Sequence, residues 1–164
     1  MSGLTQSQIE FYTEQGYLLV DDVIPTHDFD LLISELNSQV DKNARQAFEA
    51  GSLEDLLEDE PFERRLARLV ETMPDSWNTS SSDPMFDGMK GKLKTPGMFQ
   101  ILRHPGILDI VESLIGPDIL AHPQFNIRAK LPRQDAAVVP WHQDLGYLEP
   151  DADETFMVNF WIPL

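Results

Sequence analysis

The sequence predicts an α+β chain with its helices first and its strands last, and three observations carry that expectation. Apolar residues recur at helical spacing as far as Gly116-Pro117. After Asp118 they give way to short β-prone segments separated by Pro, Asp or Gly. The chain has 164 residues, 41% of them hydrophobic, which is enough for one ordinary domain with a buried core. Residues 1–117 therefore read as mainly helical and residues 118–164 as the strand region of a single domain.

Thr5-Gln6-Ser7-Gln8 has the form of a capping box, and Ile9, Phe11 and Tyr12 followed by Gly16 describe a short helix with a glycine stop. Tyr17 to Val20 reads as a strand. Pro25-Thr26 opens a second helix, in which Phe29, Leu32, Ile33, Leu36 and Val40 recur at helical spacing toward Phe48. Gly51 to Glu60 sets five acids around Leu53, Leu56 and Leu57, a weakly amphipathic segment read as a short helix with a solvated face. Helical spacing resumes from Pro61 to Val70, and Met73 to Gly97 is the longest loop candidate, read as a lid or substrate-contact segment. His104-Pro105-Gly106 starts a further helix that Gly116-Pro117 ends. The strand candidates that follow are Ile119–His122, Phe125–Leu131, Ala136–Trp141 and Thr155–Leu164.

Charge and composition exclude several functions. Twenty-eight acids against twelve bases give a formal net charge of −16, which repels nucleic-acid phosphates and anionic lipid surfaces. With no Cys, disulfide scaffolds, thiolate zinc sites, iron–sulfur clusters and cysteine nucleophiles are ruled out. The first fifteen residues carry no Lys or Arg and no signal-like apolar run, so a cytoplasmic protein is expected. The acidity is concentrated in Met1–Lys90, with 19 acids and 6 bases. Between Gly88 and Arg133 the sign reverses: Lys90, Lys92, Lys94, Arg103, Arg128, Lys130 and Arg133 face only Asp109, Glu112 and Asp118. That excess suits a small anion or simply balances the acidic first half.

Trp141-His142-Gln143-Asp144 carries the most chemistry. On a strand, residues two apart share a face, so His142 and Asp144 can offer an imidazole nitrogen and a carboxylate oxygen to one metal ion. A non-haem Fe(II) site suits such a pair once a second His from elsewhere completes the facial triad. The plainer reading pairs His142 with Asp144 by a hydrogen bond. Asn126, Arg128 and Lys130 alternate, and so either line a substrate cavity or form a solvent face. Tyr147 either lines a substrate pocket or packs as an ordinary aromatic.

The run Ile107–Ile119, then Asn126-Ile127-Arg128-Ala129-Lys130, then Trp141-His142-Gln143-Asp144-Leu145-Gly146-Tyr147, resembles the phytanoyl-CoA dioxygenase family in order, spacing and residue type. The opening helix and Gly16-Tyr17-Leu18-Leu19-Val20 look like that family's start as well. The resemblance implies helices packed on a double-stranded β-helix, or jelly roll. It also implies an oxygenase in which Fe(II) and 2-oxoglutarate activate O₂ to hydroxylate a small organic substrate. His142 and Asp144 would be the first two metal ligands. By position, Lys92, with Lys90 and Lys94 as neighbours, would meet 2-oxoglutarate, and Gln124 and Trp161 would line the cosubstrate pocket. Asn126, Arg128 and Tyr147 are the substrate-side candidates.

The family pattern also places a second His and an Arg after the His-x-Asp motif. Here no His follows His142 and no Arg follows Arg133. The sequence is accordingly expected to be an incomplete catalytic domain, carrying only the first jelly-roll strands. The alternatives are a naturally short, inactive jelly-roll binding or interaction module, and a site completed by another chain. An open sheet edge would then favour self-association.

Overall fold

The computed structural model describes residues 3–73, 85, 94–122, 127–131, 140–147, 149–150 and 154–164. All regular secondary structure among these residues is helical. The α-helices are α1 (Gln6–Gln15), α2 (Asp30–Glu49), α3 (Phe62–Thr72), α4 (Pro96–Leu102) and α5 (Pro105–Ile115). Thr26–Phe29 is a 3₁₀ turn leading into α2, and Asp144–Tyr147 is another. None of these helices is long and apolar enough to cross a membrane. The chain divides into two compact units. The first comprises Met1–Phe29, Phe99–His122 and Trp141–Pro163, and the second Asp30–Met98 and Pro123–Pro140 with Leu164.

The α+β expectation, with its partial jelly roll over residues 118–164, is corrected by this architecture. Tyr17–Val20, Ile119–His122 and Thr155–Leu164 carry no strand, and neither do the described residues of the other two candidates. A β-prone segment becomes a strand only when a neighbour completes its hydrogen-bond ladder. Propensity itself measures fit to a pleated, half-buried surface. That surface is missing here: Leu19, Leu120 and Trp161 are 78%, 94% and 76% exposed. Gly51–Glu60 is not helical either, although Glu54, Asp55, Glu58 and Asp59 do face solvent while Leu53 turns into the core. The interior of the Met73–Gly97 loop candidate lies largely outside the described residues.

In the first unit the helix signals act as local chemistry requires. Thr5 Oγ1 accepts from the Gln8 N–H, and Gln8 Oε1 accepts from the Thr5 N–H at 2.9 Å, completing the capping box of α1. Gly16 closes the helix in the left-handed region, φ 76°, with its N–H on the Tyr12 carbonyl at 2.8 Å. The start of α5 is fixed by His104, whose Nδ1 accepts from the Gly106 N–H at 3.1 Å. That leaves Nε2 to carry the proton it donates to Asp28 Oδ2 at 3.2 Å. One imidazole thus caps α5 and ties it to the turn before α2. Gly106 permits the approach, since a Cβ there would lie 2.6 Å from the Val23 carbonyl oxygen.

His104→Ala removes the cap and the Asp28 contact together. It is expected to cost about 1–2 kcal/mol, seen as a Tm lowered by about 2–4 °C per kcal/mol. His104→Asn keeps an acceptor for the helix start and should recover part of the loss. Equal melting of wild type and His104→Ala would refute the capping role.

In the second unit, Val40, Ala44 and Ala47 of α2 pack with Leu53, Leu69, Val70, Met73 and Met85 as one buried cluster. Two polar side chains are buried with them. Asn43 donates to the Met85 carbonyl at 2.8 Å, and Arg65 donates to Asp41 Oδ1 at 2.8 Å and to the Leu56 carbonyl at 3.1 Å. The first turn of α4 sits on α2 because Glu35 accepts from the Thr95 hydroxyl and from the Gly97 N–H. A Cβ at position 97 would stand 2.8 Å from the Leu32 backbone, so glycine is what lets the two helices meet.

Candidate metal centre

His142 and Asp144 lie at the start of a turn rather than on a strand. The 3₁₀ turn Asp144–Tyr147 is closed by the Gly146 N–H on the Gln143 carbonyl at 3.0 Å. This curl folds the Asp144 carboxylate back toward the preceding imidazole. His142 Nε2 lies 3.1 Å from Asp144 Oδ1, and because a carboxylate only accepts, the ring nitrogen donates. The second oxygen is engaged as well: Asn159 Nδ2 donates to Asp144 Oδ2 at 2.7 Å. His142 is one-third exposed and Asp144 half exposed, so a solvated ion can reach both.

The separation bears directly on metal binding. Two donors each about 2.1 Å from an ion and at right angles to one another stand about 3.0 Å apart. The observed 3.1 Å between Nε2 and Oδ1 matches two adjacent coordination positions, with the metal replacing the shared proton. One nitrogen and one carboxylate oxygen are also the donor types of a non-haem iron site. Among the described residues, no group of three or more His, Asp or Glu side chains is arranged to hold an ion. The pair therefore fits two positions of such a site and leaves the others open.

The remaining sequence candidates fall elsewhere. Trp161 belongs to the same unit as the pair, two residues beyond Asn159, and is largely exposed. Arg128 belongs to the second unit; it and Lys130 are exposed, with half-buried Ile127 and Ala129 alternating between and before them. Tyr147 closes the 3₁₀ turn, and its side chain lies outside the described residues, as do Lys92, Gln124 and Asn126. His104 is committed to Asp28 and Gly106, and His27 is an exposed side chain beside Asp28. A groove of about 330 Å³, lined by Phe48, Leu56 and four acids, belongs to the second unit and includes neither member of the pair.

Asn159 was the residue that sequence reasoning missed. The signal was present: in Phe156–Leu164 it is the one polar side chain in an otherwise apolar run.

Comparison with known families matches residues 12–164 to the phytanoyl-CoA dioxygenase (PhyH) family. The chain belongs to the phytanoyl-CoA dioxygenase family. No match was found among curated proteins or among solved structures. Phytanoyl-CoA dioxygenase family members are oxygenases that generally depend on Fe(II) and 2-oxoglutarate. The matched span includes His142, Asp144 and Asn159.

Proposed function

We propose that this chain is an Fe(II)- and 2-oxoglutarate-dependent oxygenase that hydroxylates a small organic substrate, with His142 and Asp144 holding the iron. The observation that carries the reading is the approach of His142 Nε2 to Asp144 Oδ1 within a segment matched by the family. When bound, the iron and its cosubstrate supply the activation of O₂. The protein's part is to present a neutral imidazole nitrogen and a carboxylate at adjacent positions, with the carboxylate charge offsetting part of the ion's.

Lys92, with Lys90 and Lys94 as neighbours, is assigned a contact with 2-oxoglutarate, and Gln124 and Trp161 the lining of the cosubstrate pocket. Asn126, Arg128 and Tyr147 are assigned to the substrate. These assignments rest on position within the family pattern.

The test is an anaerobic titration of the protein with Fe(II) and 2-oxoglutarate, followed by visible absorption. A charge-transfer band that needs both components supports the reading. Its absence at saturating concentrations of both would overturn it in favour of a binding module that keeps the fold without the iron.

A further inference from the structure

The hydrogen bond from Asn159 to Asp144 goes beyond the ligand pair itself. It joins residues 15 positions apart, and it holds the carboxylate oxygen that does not face His142. The two oxygens of Asp144 are therefore divided: Oδ2 receives an amide proton at 2.7 Å, and Oδ1 stands 3.1 Å from the imidazole. An aspartate free to rotate about its last torsion can offer one oxygen or both to a cation. One whose second oxygen is engaged by a donor is held in one orientation and biased toward offering the first. Partners of this kind orient a ligand and set its basicity without touching the metal.

We propose that Asn159 is a positioning residue that commits Asp144 to one-oxygen coordination through Oδ1, keeping positions around the metal open for cosubstrate and oxygen. This rests on the assignment of His142 and Asp144 as metal ligands. The amide suits the task because it donates without adding charge. A lysine would cancel the carboxylate's charge, and a second acid would compete for the metal. The setting agrees with a dedicated role, since Asn159 is exposed and is the only polar side chain between Phe156 and Leu164, so no buried core depends on it.

Co(II) is the probe, its visible bands reporting both affinity and coordination. Wild type, His142→Ala, Asn159→Leu and Asn159→Gln are titrated with Co(II), and the Tm of each metal-free protein is measured alongside. Asn159→Leu keeps the shape and removes the donor. It is expected to weaken Co(II) binding about 10–100-fold, to shift the bands, and to leave the metal-free Tm unchanged. Asn159→Gln, which retains an amide donor, should recover most of the affinity. Wild-type affinity and bands in Asn159→Leu, with His142→Ala inactive in binding, would overturn the proposal and leave the ligand pair standing. A loss shared equally by Asn159→Gln, or accompanied by a lower metal-free Tm, would make the contact merely structural and also overturn it. Wild-type binding in His142→Ala would remove the ligand assignment, and the proposal with it.

Discussion

Replacing His142 with alanine is expected to abolish the Fe(II)–2-oxoglutarate band, with metal affinity falling by more than the roughly 100-fold that marks the loss of a ligand's supporting partner. The reason lies in the chelate. With Asp144 bound, the imidazole meets the same ion at high effective concentration, because both donors are already within 3.1 Å of each other. Without His142, a half-exposed carboxylate must compete for the ion with water alone. Two of the other three imidazoles supply the control. His104 is held between Asp28 and the start of α5, and His27 is a surface side chain, so His104→Ala and His27→Ala should keep the band. A band that survives His142→Ala, or is lost equally in His27→Ala, would sink the assignment.

How much of this was legible in the sequence depends on how local each signal is. The caps of α1 and α5 were readable because Thr5, Gln8 and Gly16, and likewise His104, Pro105 and Gly116, act within a turn or two of themselves. Helix α4 has the same grammar, a Thr95 hydroxyl before Pro96, but its first two residues close a Pro- and Gly-rich stretch and fell within the loop reading, which left the other five without an assignment. The strand readings failed for the opposite reason. Alternation along one segment says nothing about a partner elsewhere in the chain, and a strand exists only with that partner. The acidic segment shows both effects at once. Leu53 is buried and the Leu56 carbonyl is consumed by Arg65, so tertiary contacts hold Gly51–Glu60 in an irregular path.

The site divides along the same line. His142 and Asp144 are two residues apart, and their convergence survives the change from the expected strand to an actual turn, since either conformation brings neighbours at that spacing together. Asn159 reaches Asp144 across 15 residues, a distance over which composition offers only the hint of a solitary polar side chain. The proposed ligand pair is thus legible locally, and the proposed orientation of its carboxylate is not.

The largest effect on stability is expected at Asp41. Arg65 is almost completely buried, and its guanidinium has the Asp41 carboxylate and the Leu56 carbonyl as acceptors. Asp41→Ala leaves that charge buried against a single carbonyl, a situation that costs about 3–5 kcal/mol when a buried pair is broken. Because Asp41 is one-third exposed, the lower end applies, about 3 kcal/mol, or a Tm lowered by about 6–12 °C. Replacing the pair together, as Asp41→Ala with Arg65→Met, removes the stranded charge and should be less damaging than Asp41→Ala alone. Hydrogen bonding from Arg65, and then from Arg45, holds the Asp41 carboxyl below its ordinary value of 3.8. The folded state therefore releases this proton more readily than the unfolded chain does. The carboxylate's contribution is complete above pH 4 or so and is lost as pH falls through the lowered value. Urea unfolding of both proteins should show their stability gap largest near neutrality and narrowing below pH 4. A gap under about 1 kcal/mol at neutral pH, or one that widens toward acid, would mean that Arg65 does not depend on this carboxylate.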